Sequence, residues 1–176
     1  MKLDKPEVLD LGPLCGASAV YLAGRGARVS VEEFEPPPPT PPRDPALPAG
    51  EQPPKQPVRI EQEAGRFHLI LAGEHIDFVP PDRLADFGAE IRRVLAEGGY
   101  LLLFARNSEA KKDAAARRPG RFRIIADDKL LHEDSGLPDR QRWVHPTREI
   151  ERALAPLAIQ GIHLQRNQIR EFLARK

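Results

Sequence analysis

The sequence predicts an α/β protein, a mostly parallel sheet with helices on both faces and an antiparallel hairpin at the C-terminus. Three observations carry this reading. A compact strand–helix–strand pattern opens the chain, a helix–Gly-Gly–strand pattern fills its middle, and two short apolar arms close it. Strands alternating with helices favour parallel pairing through right-handed crossovers.

Residues 7–12, Glu-Val-Leu-Asp-Leu-Gly, read as a short buried strand ended by glycine. Residues 16–24 place Ala19, Val20, Leu22 and Ala23 at helical spacing, with Gly24 and Gly26 as the stop. From Ala27 to Phe34 the pattern alternates, with Val29 and Val31 on one face, as in a second strand. Val58-Arg59-Ile60 is a third strand candidate, and Phe67–Ala72 a stronger one with a continuous apolar centre. Leu84, Phe87, Ile91, Val94 and Leu95 then trace one face of a helix. Gly98-Gly99 closes that helix and Tyr100–Phe104 follows as a fully buried strand. Beyond it, Phe122–Ala126 reads as a strand and Arg148–Leu157 as a helix. Ile159–Leu164 and Ile169–Leu173 read as the arms of the terminal hairpin.

Between the second and third strands the pattern breaks. Residues 36–57 hold eleven of the 19 prolines. Proline fixes φ and offers no amide donor, so neither helix nor central strand can run through this stretch. Polyproline II is the expected local form, and the P-x-x-P spacing of Pro36–Pro39 suits an aromatic groove on an SH3-like protein partner or an unlidded surface loop. The whole chain, 1–176, is expected to form one domain interrupted by this loop.

Composition narrows the function classes. Twenty-seven basic residues face 26 acidic ones, a net charge of +1, which disfavours a dedicated nucleic-acid binder. No apolar run approaches the ~20 residues that span a bilayer, so no membrane role is expected. The start carries no signal-peptide pattern, and a cytoplasmic location is the simplest expectation. Cys15 is the only cysteine, which excludes an intrachain disulfide and reads as a buried filler. No metal-binding spacing is present. The basic run 106–121 reads as a solvated loop.

Two segments carry a family resemblance. The first is Val8-Leu9-Asp10-Leu11-Gly12-Pro13-Leu14-Cys15-Gly16, continuing to Gly26-Ala27-Arg28-Val29 and Glu33. The second is Phe67–Ala72 followed by Arg92-Arg93-Val94-Leu95-Ala96-Glu97-Gly98-Gly99-Tyr100-Leu101. Together they resemble the class I, Rossmann-like S-adenosylmethionine (SAM)-dependent methyltransferases, over roughly half the chain. In that family an acidic-x-Gly-x-Gly-x-Gly loop passes beneath the cofactor, and an acid ending the next strand holds its ribose. The resemblance implies SAM contacts from Asp10, Gly12, Leu14, Gly16, Glu33 and Ala72. Leu14 stands at the third position of the motif, where the family has glycine, and His68 replaces an aspartate.

Glycine at 12 and 16 frees the backbone to turn and to approach a ligand closely. A carboxylate at Glu33 can accept two hydrogen bonds from a vicinal diol. Glu74 and His75 follow the Phe67–Ala72 strand, where the resemblance implies substrate contacts, and His75 is a candidate general base or an ordinary surface histidine. The implied activity is methyl transfer from SAM to a small-molecule or protein acceptor. The alternative is a methyltransferase-like binding or regulatory module without transfer. A nicotinamide-dependent oxidoreductase fits poorly, because Gly12-x-x-x-Gly16 lacks the G-x-G-x-x-G spacing.

Overall fold

The computed structural model describes residues 5–12, 15–42, 56–107, 120–136 and 140–176. Leu14, residues 43–55 of the proline-rich segment and residues 108–119 of the basic run lie outside the described residues.

A six-stranded sheet organises the chain. Its strands are β1 (Glu7–Asp10), β2 (Arg28–Val31), β3 (Phe67–Gly73), β4 (Leu95–Arg106), β7 (Ala158–Leu164) and β8 (Ile169–Arg175), in the order β2-β1-β3-β4-β8-β7. The pairs β1–β2, β1–β3 and β3–β4 are parallel. The C-terminal pair β7–β8 is an antiparallel hairpin, and β8 inserts antiparallel beside β4. Strands β5 (Gly120–Ala126) and β6 (Lys129–Asp134) form a separate two-stranded sheet.

Three helices were legible from spacing: α1 (Gly16–Ala23), α2 (Leu84–Val94) and α3 (Thr147–Leu154). Helix α2 buries Leu84, Phe87, Ile91 and Val94, the stripe its sequence predicts. It meets α3 at Gly88, where a Cβ would come 1.9 Å from the Ala153 carbonyl oxygen, so only glycine permits the approach. Leu9, Leu11, Ile70, Ala72, Leu101 and Leu103 pack with α2 and α3 into the main core. Side chains alternate along strands, so Asp10, Leu71, Leu102 and Phe104 face the other way, toward α1 and the β5–β6 hairpin.

Two expectations need correction. Gly98-Gly99 does not close α2, which ends at Val94; both glycines lie inside β4. Helix α1 forms as its spacing predicts, with Val20 73% exposed and Ser18 as its buried side chain. The segment 58–61 is no strand. Val58 and Ile60 are buried in alternation, but side chains take their backbone groups. Ile60 N donates to Glu90 Oε2 (3.0 Å) and Glu61 N to Glu32 Oε1 (2.7 Å), while Arg93 donates to the Ile60 and Gln62 carbonyls (2.7 and 2.8 Å). With the Ile60 and Glu61 amides and the Ile60 carbonyl taken by side chains, these groups do not pair with an edge strand.

The described part of the proline-rich segment has no helix or strand. Pro36–Pro39 lie along Phe78, Arg140, Gln141 and Trp143, and Thr40 N donates to Asp82 Oδ2 (3.2 Å). The P-x-x-P stretch therefore shares a pocket with two aromatic side chains of its own chain. None of the described helices is long and apolar enough to cross a membrane.

Candidate functional site

The carboxyl ends of β1 and β3 converge on one cavity because both chains turn there through a left-handed glycine. Gly12 has φ +83° and Gly73 φ +51°, conformations that side chains other than glycine adopt at a cost. Leu11 N still donates to Leu71 O (3.0 Å), holding the strands together up to the turn. Gly12 N then donates to Asp10 Oδ1 (3.0 Å), which folds the acid back over the loop. Burial pushes the Asp10 carboxyl up, against the lowering effect of that hydrogen bond.

Beyond the loop, Cys15 caps α1 from an extended conformation and is buried. Gly16 opens the helix, and among the described residues no heavy atom outside its own chain neighbours and helix backbone lies within 4 Å of where a Cβ would stand. On the neighbouring edge, Glu32 N donates to Asp10 O (2.9 Å) and Phe34 N to Leu11 O (3.1 Å). These bonds carry the β2 strand past its end and set the exposed Glu33 beside the Gly12 turn.

The cavity is about 50 Å3 and is lined on the sheet side by Asp10, Gly12, Leu71, Gly73, Leu102 and Phe104. The β5–β6 hairpin closes it with Gly120, Phe122, Ile124 and Leu130. Phe122 stacks on Phe104 (3.9 Å between centroids), and His132 stacks on Phe122 (4.7 Å). Ser18 ties the hairpin to α1, accepting from Ile124 N (3.0 Å) and donating to Phe122 O (3.2 Å). At the tip, Tyr21 and Arg25 of α1 both engage Asp127.

Glu74 is the post on which this cap is built. Its carboxylate, 2% exposed, accepts from Gly120 N (3.1 Å) and Arg142 Nη2 (2.9 Å). His132 Nε2 stands 3.7 Å away and Arg106 Nη2 3.8 Å. Burial alone would raise the Glu74 pKa; His132 and Arg142 outweigh it and hold the carboxyl down at about 2. Asp77 shares Arg142 (3.0 Å) and accepts from Arg106 N (3.2 Å). Burial and the adjacent Glu74 charge push Asp77 up to about 7. Gly120 is required here, since a Cβ would meet His132 Nε2 at 1.8 Å.

His75 is buried too, with Nε2 2.8 Å from the Gly12 carbonyl oxygen. Burial holds it down at about 4, so the ring is neutral and Nε2–H is the donor. Neither Glu74 nor His75 is a free surface group.

Of the residues expected to contact a cofactor, Asp10 and Gly12 line the cavity, Gly16 lies at the start of α1, and Glu33 stands on the adjacent edge. Ala72 is fully buried on the α2–α3 side, and Gly73 supplies the cavity wall instead. No group of three or more His, Cys, Asp or Glu side chains suited to a metal occurs among the described residues.

No protein-family model and no curated protein matches this sequence. Solved structures do. A SAM-dependent methyltransferase from Methanosarcina mazei aligns over 99% of this chain and 94% of its own, at 15% identity and a TM-score of 0.57. The chain has the class I methyltransferase fold. A SAM-dependent methyltransferase from Mesorhizobium loti covers 97% of the chain and 91% of itself, at 13% identity and TM-score 0.55. The 1,6-didemethyltoxoflavin-N1-methyltransferase of Burkholderia thailandensis, solved with 1,6-didemethyltoxoflavin and S-adenosylhomocysteine (SAH), covers 98% and 71%, at 19% identity and TM-score 0.55.

On this methyltransferase fold, β6 and the anchors of the hairpin were what sequence reasoning missed, while Phe122–Ala126 reads as a strand. Ser18, Phe104, Phe122, His132 and Arg142 carry no local motif. One signal was present: Asp127-Asp128 separates two apolar pairs, Ile124-Ile125 and Leu130-Leu131, a turn between strands.

Proposed function

We propose that this chain binds SAM at the carboxyl ends of β1 and β2 and transfers its methyl group to a small-molecule acceptor. The observation that carries this reading is the Asp10–Gly12 turn, which lines the cavity at the end of β1; Gly16 opens the following helix and the exposed Glu33 lies just past the end of β2. These groups suit the cofactor chemically. Backbone at Gly12 and Gly16 admits close approach, and Glu33 can accept from both ribose hydroxyls. SAM supplies an activated methyl group on a sulfonium when bound. The chain's contribution is to orient the reactants and exclude water, which the hairpin over Leu102, Phe104 and Phe122 supports. The Burkholderia relative, with its small heterocyclic ligand and SAH, supports a small-molecule acceptor over a protein one.

A second reading is a methyltransferase-like binding or regulatory module without transfer. Its support is specific: Glu74 and His75, the candidate bases, are committed to Arg142 and to Gly12. The cavity of about 50 Å3 is also smaller than the ~150 Å3 that holds benzene, so the hairpin has to yield before an acceptor enters.

Calorimetric titration with SAM and SAH tests the first step, with saturable one-to-one binding expected. Absence of binding by either ligand overturns the first reading and leaves the second. Binding without SAH release across a panel of small acceptors favours the second.

A further inference from the structure

We propose that His75 is a positioning residue that fixes the Gly12 turn in register with Glu33, so that the two ends of a bound nucleoside cofactor meet preset partners. This rests on the SAM-binding reading above. His75 opens a 3₁₀ turn (His75–Phe78) just past β3, and its ring meets both the Gly12 turn after β1 and Phe34 after β2. Nε2 donates to Gly12 O at 2.8 Å, which immobilises the carbonyl of the turn. The amide of the same residue is held by Asp10, so both peptide groups flanking Gly12 are fixed. The ring packs edge-on against Phe34 (5.7 Å, 89°), the residue after Glu33, whose amide is bonded to Leu11 O. A Cβ added at Gly73 would lie 3.9 Å from His75 Cδ2, so the β3 turn closes the third side.

Burial argues against a base: Nδ1, the nitrogen that keeps the lone pair, is enclosed with no hydrogen-bond partner among the described residues, while Nε2–H is engaged with Gly12 O. The charges that act on the ring are Arg140 and Glu74, of opposite sign. A loop held in its binding conformation before the ligand arrives loses less conformational freedom on binding.

SAH titration into wild type, His75→Leu and His75→Gln, with thermal midpoints for each, tests this. His75→Leu is expected to weaken SAH by about tenfold, the size of one buried hydrogen bond. His75→Gln keeps an N–H donor and is expected to recover most of that loss. SAH affinity within twofold of wild type in His75→Leu overturns the proposal, as does a His75→Gln no better than His75→Leu. Should His75→Leu fail to fold, ring-nitrogen NMR of the wild type decides. A neutral Nε2–H tautomer from pH 5.5 to 8, with and without SAH, is expected. Titration of the ring near pH 6.5, or loss of Nε2–H on adding SAH, overturns it. If wild type binds SAH while the variants behave otherwise than expected, the SAM reading stands and this proposal falls. If wild type does not bind, both fall.

Discussion

The two faces of the sheet are built to different standards. On one, Leu9, Ile70, Leu101 and Leu103 meet α2 and α3 in a core whose residues are almost wholly buried. On the other, their neighbours Asp10, Leu71, Leu102 and Phe104 meet α1 and a two-stranded hairpin, leaving a cavity between. The first face is joined by apolar packing along the full length of α2. The second is joined by polar pins: Ser18, Glu74 and Arg142. Packing of the first kind resists change everywhere at once, whereas a few pins can open and close. The comparison teaches that the dense packing sits on the α2–α3 face and the cavity on the α1–hairpin face.

The largest expected effect is on the packed face. Phe87→Ala should cost about 3–5 kcal/mol of stability in denaturant titration, because it empties a fully buried site between helix and sheet. A loss under about 1 kcal/mol would mean that the α2 contact is looser than it looks. Gly88→Ala should follow, at roughly 1–3 kcal/mol, since the added methyl collides with the Ala153 carbonyl.

The hairpin face should respond to pH. The folded-state pKa of Asp77, about 7, lies above its ordinary value of 3.8. The folded protein therefore holds this proton more tightly than the unfolded chain. Its contribution is complete below about pH 4 and lost as pH rises through 7. Asp77→Asn should flatten the fall in thermal midpoint between pH 5 and 7.5 relative to wild type. His75 acts in the opposite sense, its depressed pKa lending stability above pH 6.5 that fades toward pH 4, so the difference between the two proteins is the informative quantity. An unchanged slope would remove Asp77 as the source.

The smallest effect on stability should come at Glu33, which is exposed. Glu33→Ala should move stability by less than about 0.5 kcal/mol. The same change should weaken SAH roughly tenfold to a hundredfold, through loss of a charge-assisted bond. A variant that alters stability but not SAH affinity would invert the comparison drawn between the two faces.

Much of this architecture is legible without coordinates. The stripe of α2 and the apolar run of β4 repeat with periods that only a helix or a buried strand satisfies. The Asp10–Gly16 loop is visible because positive φ selects glycine at a fixed distance from a strand end. The segment 58–61 shows the limit of such signals. Its alternation reports burial on one side, and burial alone does not say whether backbone amides meet a strand or, as here, Glu90 and Glu32.

The sequence by itself determined the periods, the turns and hence the order of the elements, since these depend on residues close together in the chain. Only the tertiary structure decided what faces the cavity. Glu74 meets Gly120 and Arg142 across 46 and 68 positions, and Phe122 finds Phe104 only once the hairpin folds back over β4. Such contacts carry no periodic trace, because side chains brought together from distant segments need only fit in shape and charge. His75, too, reads in the chain as a general base or an ordinary surface histidine, and becomes a buried neutral donor only when Gly12 and Phe34 close around it.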